Sequence, residues 1–185
     1  MRHARRADAQ RNRARILDVA SAAFAADPET SLNAIAKSAG VGAGTLYRHF
    51  PTREDLLLAV YKDEIEGLEA SVSRTLEQQE PLDAFRVWAR HLAASVRVKH
   101  GLGEALSTPT AQALTDSTYG PVTSAIGQLL DAAAERGAAR PGIDPSDVLL
   151  MLSALWRVPP TDSGLAQADR VLELIIDSVR TEPGA

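Results

Sequence analysis

The chain has 185 residues, of which 45% are hydrophobic and none is cysteine. This length and composition predict one compact domain, or a small and a medium domain that share a helix. The lack of cysteine excludes disulfide frameworks, thiolate zinc sites and cysteine nucleophiles. The longest apolar run, residues 149–156, is too short to cross a bilayer, and the arginine-rich N-terminus lacks the apolar core of a signal peptide. We therefore expect a soluble, cytoplasmic protein.

The net charge of −4 is unevenly distributed along the chain. Residues 1–50 carry 8 basic and 4 acidic side chains, whereas residues 51–185 carry 12 basic and 20 acidic ones. Six arginines fall within the first fifteen residues, where Asp8 is the one acid. This asymmetry predicts that the N-terminal end meets a polyanion such as nucleic acid, with a solvated charged tail as the alternative.

Helical periodicity dominates the N-terminal part of the chain. A first helix carries apolar residues on one face from Ile16 onward and ends just before Pro28, because proline disfavours helical geometry in the residue before it. Ser31 is placed to cap a short second helix. Thr52 and Asp55 resemble a capping box that opens a long helix, which is predicted to run to about residue 78.

The C-terminal part is also helical and is divided by proline and glycine. One helix is predicted from Pro81 to about Gly101, and residues 101–120 are predicted to form one or two short helices with loops. A helix around residues 122–133, a capped helix from Asp144-Pro145 and a last helix after Pro159-Pro160 follow. No strand alternation is found, so the sequence predicts an all-α fold of about nine or ten helices.

Residues 31–50 form the most informative stretch. They predict two short amphipathic helices, the second from about residue 43, joined by a tight turn at Gly40. A helix-turn-helix of this kind presents its second helix outward, where it can lie in the major groove of DNA. An ordinary helical hairpin is the alternative. DNA binding is favoured because the second helix carries a set of polar and basic side chains, namely Thr45, Tyr47, Arg48 and His49.

This stretch resembles the DNA-binding unit of the TetR family of bacterial transcriptional regulators. The segments 35–36, 39–41, 44–51 and 53–56 follow the family signature nearly position for position, and the match covers about residues 10–60. Beyond it, Trp88 and Gly101-Leu102 resemble one common C-terminal subtype. The resemblance implies a helix-turn-helix DNA-binding domain over residues 1–52 and an effector-binding and dimerisation domain over residues 53–185. It implies a repressor released from a palindromic operator by a small molecule.

The resemblance also implies which residues contact DNA. Ser31 would donate to a phosphate, Thr45 and Tyr47 would contact the backbone and base edges, and Arg48 and His49 would add phosphate contacts or pack beside the first helix. Arg53, at the start of the long helix, would hold a further phosphate. The arginines before the first helix would lie along the backbone or reach a minor groove, and they are Arg11, Arg13 and Arg15.

The positions Gly42 and Ala43 depart from the family pattern, which often places polar or charged residues there. Ala43 can still touch a thymine methyl group, and Gly42 allows close backbone approach, but neither side chain can hydrogen-bond a base. We therefore expect base readout to depend more on Thr45, Tyr47 and the N-terminal arginines.

A ligand pocket is implied for the C-terminal helices. The candidate lining combines apolar bulk with a few polar tips, as ligand sites usually do, and comprises Phe85, Trp88, His91, Leu92, Ser95, Tyr119 and Trp156. The alternative is that these aromatic residues simply form the core. His91 lacks carboxylate or histidine partners at metal-site spacing, so no metal is predicted. The expected ligand is mostly apolar, with aromatic or amphipathic character.

A homodimer is predicted from the last helix. Residues 171–176 place apolar side chains on more than one face, and so wide an apolar surface must be covered on two sides. A second copy of the chain is the expected cover, although the helix could instead be central to its own bundle. The predicted interface consists of Leu149, Leu152, Trp156, Leu172, Ile175 and Val179.

Other functions have little support in the sequence. It contains no glycine-rich phosphate loop, no His-Glu-x-x-His and no Gly-x-Ser-x-Gly, so no catalytic residue and no cofactor are predicted. The alternatives to a ligand-responsive regulator are an effector-free architectural DNA-binding dimer and a helical protein-interaction module.

Overall fold

The computed structural model describes residues 2–27, 29–100, 109–159 and 161–181. Over these residues it is all-helical, as predicted, with eight helices rather than nine or ten and no strand beyond one isolated bridge between Ala139 and Arg180. None of these helices is long and apolar enough to span a membrane. The helices are α1 Arg2–Ala26, α2 Leu32–Ser38, α3 Ala43–His49, α4 Arg53–Gln78, α5 Pro81–His100, α6 Pro109–Glu135, α7 Pro145–Leu152 and α8 Asp162–Val179.

The predicted helix starts are confirmed by their caps. The Ser31 hydroxyl accepts a hydrogen bond from the Ala34 amide at 3.2 Å, and the helix-turn-helix turn has Gly40 at φ +63°, a conformation that glycine adopts with least strain. Thr52 and Asp55 form a complete capping box, with reciprocal hydrogen bonds of 3.0 Å between each side chain and the other residue's amide. The α7 helix is capped by Asp144 in the same way as predicted.

The prediction of short helices and loops before residue 120 is wrong for its described part. From Pro109 the chain forms one helix, α6, which continues through Gly120-Pro121. An internal proline removes a backbone hydrogen bond and crowds the preceding turn. The Thr123 hydroxyl donates to the nearby carbonyls of Tyr119 and Gly120 at 2.9 and 3.0 Å, and the following turns are deeply buried. Packing therefore outweighs the local helix-breaking signal. The predicted end of α5 at Gly101 lies outside the described residues.

Two separate hydrophobic cores organise the fold, and α4 contributes to both. The first core joins α1, α2, α3 and the beginning of α4, and on α4 it includes Leu56, Leu57 and Val60. The second core joins the rest of α4 to α5, α6, α7 and α8, and on α4 it includes Ile65, Leu68 and Val72. The first core therefore extends beyond residue 52, into the opening turns of α4.

The α8 helix is fastened to α5 by ion pairs as well as by the core. Arg86 Nε and Nη2 donate to the two carboxylate oxygens of Glu173 at 2.7 and 3.0 Å, and Arg90 Nε donates to Asp169 at 2.9 Å. The hydrogen bond from Arg86 lowers the pKa of Glu173 below its usual value. The pair therefore stabilises the fold at neutral pH, and its contribution is lost as the pH falls through that lowered pKa. The inner face of α8 thus belongs to its own protomer.

Candidate DNA-binding surface and effector cavity

The α3 helix presents a continuous exposed face. Its apolar anchor, Leu46, is fully buried against α2, whose Ile35 and Ala36 are buried as well. The exposed residues follow the helical repeat at i, i+1, i+4 and i+5, and they are Ala43, Gly44, Tyr47 and Arg48. Gly42, the N-cap of α3, is also exposed, and the Tyr47 side chain is 43% exposed. This face has the position and shape of a recognition helix.

The other α3 residues predicted to contact DNA are engaged in internal contacts or are half-buried. The Arg48 Nε donates to the Gly44 carbonyl at 2.9 Å, which directs this exposed guanidinium along the helix. Thr45 and His49 are half-buried, and the His49 ring packs near Phe50 with ring centroids 6.1 Å apart. Packing was the alternative role for His49.

The Ser31 hydroxyl can perform both of its expected tasks. It is exposed and accepts the hydrogen bond from the Ala34 amide that caps α2. A hydroxyl that accepts one hydrogen bond still carries its own proton. Ser31 can therefore cap the helix and donate to a DNA phosphate at the same time.

The N-terminal arginines lie within α1, not before it as predicted. The helix begins at Arg2 because the segment is rich in alanine and arginine, which favour helix formation. Arg11, Arg13 and Arg15 are exposed on it. The Arg13 guanidinium lies over the Phe50 ring, 5.7 Å from its centroid, which places this cation beside the end of α3. Of these three arginines, Arg13 is the one shown beside the helix-turn-helix, while Arg11 and Arg15 lie on the other side of α1.

Arg53 has a different environment from the one predicted. Its Nη1 donates to the Thr30 carbonyl at 2.5 Å, and its guanidinium lies 4.9 Å from the centroid of the Phe24 ring. The side chain is half-buried, and its Nη2 is buried without a hydrogen-bond partner among the described residues. Arg53 therefore fastens the loop between α1 and α2 to the start of α4, and its predicted phosphate contact stays a prediction.

The predicted ligand site divides into two cavities. A groove of about 490 Å³ between α4 and α5 contains the predicted residues Trp88, His91 and Ser95. We call the second one the central cavity. It has a volume of about 580 Å³ and contains Leu92, Tyr119 and Trp156. Phe85 is fully buried and lines neither of them. Within the described residues, no cluster of histidine and acidic side chains could hold a metal ion.

The central cavity connects four helices. Its wall is formed by α4, α5, α6, α7 and the turn after α7, and its further residues are Tyr61, Val96, Thr118, Val122, Ser146, Asp147, Leu149, Leu150 and Ser153. The Tyr61 side chain is hydrogen-bonded to that of Thr118, and burial raises its pKa, so the phenol is neutral at physiological pH. These residues could not be predicted from the sequence, because hydrophobic periodicity shows which face of a helix is buried but not where a gap between helices lies. The one available signal was Tyr61, which lies on the apolar stripe of α4.

These features together define a helix-turn-helix protein with an all-helical second unit that encloses a cavity. Comparison with known proteins gives its family. Residues 16–60 match the family described as bacterial regulatory proteins of the tetR family, and residues 80–181 match the C-terminal domain of SbtR-like transcriptional regulators. The chain therefore belongs to the TetR family of DNA-binding transcriptional regulators, as its sequence resemblance predicted.

Individual relatives agree with this assignment. The structure of the TetR regulator SCO0520 from Streptomyces coelicolor is 34% identical, with a TM-score of 0.80, over 92% of this chain and 99% of that one. A TetR regulator from Mycobacterium vanbaalenii is 32% identical, with a TM-score of 0.72, over 95% and 99% of the two chains. The repressor LfrR of Mycolicibacterium smegmatis is 37% identical over 75 residues, and this match spans 40% of each protein.

Replacing Arg53 with alanine is expected to lower the free energy of unfolding by about 1–2 kcal/mol, because the Thr30 carbonyl loses its donor and Phe24 loses its cation. The salt dependence of DNA binding is expected to stay unchanged. A lost phosphate contact would instead reduce the magnitude of the negative slope of log K against log salt by about 0.9. Urea unfolding and salt titrations measure the two effects. Arg11→Ala is the control that is expected to reduce the slope. A less steep salt dependence with unchanged stability in Arg53→Ala would instead support the predicted contact between Arg53 and a DNA phosphate.

Proposed function

We propose that this protein is a homodimeric, cytoplasmic transcriptional repressor that binds a palindromic operator and releases it when a mostly apolar small molecule fills the central cavity. The observation that carries the proposal is the exposed α3 face on a unit whose core shares α4 with the cavity-bearing unit. A surface for DNA and a space for a ligand are thus joined by one helix.

Operator recognition is assigned to the α3 face. Tyr47 is its largest exposed side chain and can contact a sugar-phosphate backbone through its hydroxyl or a base edge through its ring. Ser31 supports the same surface with a phosphate contact, as do the arginines of α1. Gly42 and Ala43 let the backbone approach the duplex closely, and Ala43 offers a methyl contact to thymine.

Replacing Tyr47 with alanine is expected to weaken operator binding by about 5–150-fold, because one good base contact is worth about 1–3 kcal/mol. The operator is first selected from random duplexes, and affinity is then measured by fluorescence anisotropy. Leu165→Ala is the control, since this side chain is 43% exposed, as Tyr47 is, and lies on α8, outside the helix-turn-helix and the central cavity. Unchanged affinity in a Tyr47→Ala protein with full helical circular dichroism would refute the role of α3.

The proposed dimer uses a different face of the last helices from the one expected. Leu152, Leu172, Ile175 and Val179 are buried within their own protomer, and Leu149 and Trp156 line the central cavity. Leu150, which also lines the central cavity, is 71% exposed, and Leu174 is 69% exposed. Large apolar side chains left this open on neighbouring helices support a partner surface on the outer side of α7 and α8. A two-fold dimer would place two α3 helices about 34 Å apart, which is one turn of duplex.

Replacing Leu174 with glutamate is expected to dissociate the dimer at micromolar concentration, because it places a charge without a partner in an apolar interface. Sedimentation velocity measures the change. Leu165→Glu is the matched control, since Leu165 lies about two and a half turns earlier on α8, on the opposite side of the helix. A Leu174→Glu protein that remains dimeric would move the interface elsewhere. Ile175→Glu is not a suitable test because Ile175 lies in the core of its own protomer.

Ligand release would act through α4. Tyr61 lines the central cavity, and its neighbour Val60 is buried in the first core. One turn further along, the Glu64 carboxylate accepts a hydrogen bond of 2.5 Å from the Ser21 hydroxyl of α1. A ligand that favours another tilt of α4 would therefore move the DNA-binding unit directly. Such coupling is typically worth about 1–3 kcal/mol, or about 5–150-fold in affinity.

A compound that raises the melting temperature by binding in the central cavity is expected to weaken operator affinity by a factor in that range. A thermal-shift screen followed by operator titration with each hit measures both. The variant Ser153→Phe, which narrows the cavity, is expected to keep operator binding and lose the response to ligand. A hit that stabilises the protein in the cavity yet leaves operator affinity unchanged would favour an effector-free DNA-binding dimer.

A further inference from the structure

The charge on the described wall of the central cavity has one sign. Asp147 lies on this wall, and none of the described lining residues is arginine, lysine or histidine. The groove between α4 and α5 differs, because Glu64, Arg74 and His91 all contribute to its lining. Of these two spaces, the central cavity is therefore the one whose described lining carries charge of one sign, which is negative.

The Asp147 carboxylate has no structural task of its own in the described part of the molecule. The neighbouring acid, Asp144, caps α7 by accepting a hydrogen bond from the Ser146 amide at 2.8 Å. Asp147 lies in the first turn of the same helix, and its side chain enters no hydrogen bond or ion pair found among the described residues. Asp147 is solvent-exposed, and the N-terminal end of a helix favours an anionic group at this position.

The rest of the cavity suits the apolar body of an aromatic ligand. Aromatic side chains approach from three elements, namely Tyr61 on α4, Tyr119 on α6 and Trp156 after α7. Aromatic faces attract cations as well as apolar surfaces. The side chains of Tyr61 and Thr118 are hydrogen-bonded to each other on this wall. The aliphatic wall between them consists of Leu92, Val96, Val122 and Leu149.

We propose that the effector of this cavity is a lipophilic cation, with its aromatic body among Tyr61, Tyr119 and Trp156 and its positive charge at Asp147. This inference rests on the proposed function, in which a ligand of the central cavity controls operator binding. The cavity volume of about 580 Å³ lies within the usual range for small-molecule sites. An anion of the same shape would meet the Asp147 carboxylate without a counter-charge on the described wall.

The test compares tetraphenylphosphonium with tetraphenylborate, two ions of nearly the same size and shape and of opposite charge. Titration calorimetry on the full chain is expected to show binding of the phosphonium at least about tenfold tighter than that of the borate. Asp147→Asn is expected to remove most of this preference, and Asp147→Lys to reverse it. The control Asp131→Asn removes an exposed carboxylate of α6 and is expected to leave the preference intact. Circular dichroism verifies that each variant is folded.

Equal affinity for the two ions, or a preference for the borate, would overturn the proposal. An equal loss of preference in Asp131→Asn would also overturn it, because the acidic net charge rather than Asp147 would then attract the cation.

Operator titrations with each ion separate this inference from the proposed function. Tight, Asp147-dependent binding of the phosphonium that leaves operator affinity unchanged would support the charge preference and count against the effector role. Operator release by neutral or anionic cavity ligands, with no response to the phosphonium, would overturn the cation class and leave the effector role standing.

Discussion

The constraint on which this structure depends is that one continuous helix, α4, supplies buried residues to two cores. Leu56 and Val60 are fixed in the first core, and Ile65 and Leu68 in the second, with only a single turn between the two sets. Packed cores resist gradual deformation, so a displacement of this turn must be carried by rigid movement of the helix. The DNA-binding unit and the C-terminal helices are thus joined by the hydrophobic packing of α4 itself.

Two polar contacts also join α4 to the elements that support α3. The Ser21–Glu64 hydrogen bond joins the middle of α1 to α4, and the contact of Arg53 with Thr30 joins the loop before α2 to the beginning of α4. Both contacts connect α4 to elements that support α3, so a tilt of α4 reaches the recognition helix through its scaffold. Arg53 therefore holds part of the scaffold of α3 against α4.

The sequence predicts local features well because their causes are local. Ser31, Gly40, Thr52 and Asp144 act on backbone groups within three residues of themselves, so their caps and turns could be derived from spacing alone. The continuous α6 could not be derived, because the stabilisation of the segment around Pro121 comes from distant helices. The same holds for the split ligand site, and for Arg53, whose partners lie 23 and 29 positions away in the chain.

The α7 helix connects the proposed effector site to the proposed dimer. Asp147 and Leu150, one turn apart on α7, both line the central cavity. Leu150 is also 71% exposed and belongs to the proposed dimer surface. A ligand held between Tyr61 and Asp147 would contact α4 on one side and α7 on the other, so it would act on the angle between the DNA-binding unit and the dimer axis. That angle sets the distance between the two α3 helices, and a fixed operator accepts only one such distance. A ligand needs to shift only these two helices relative to each other to release both half-sites together.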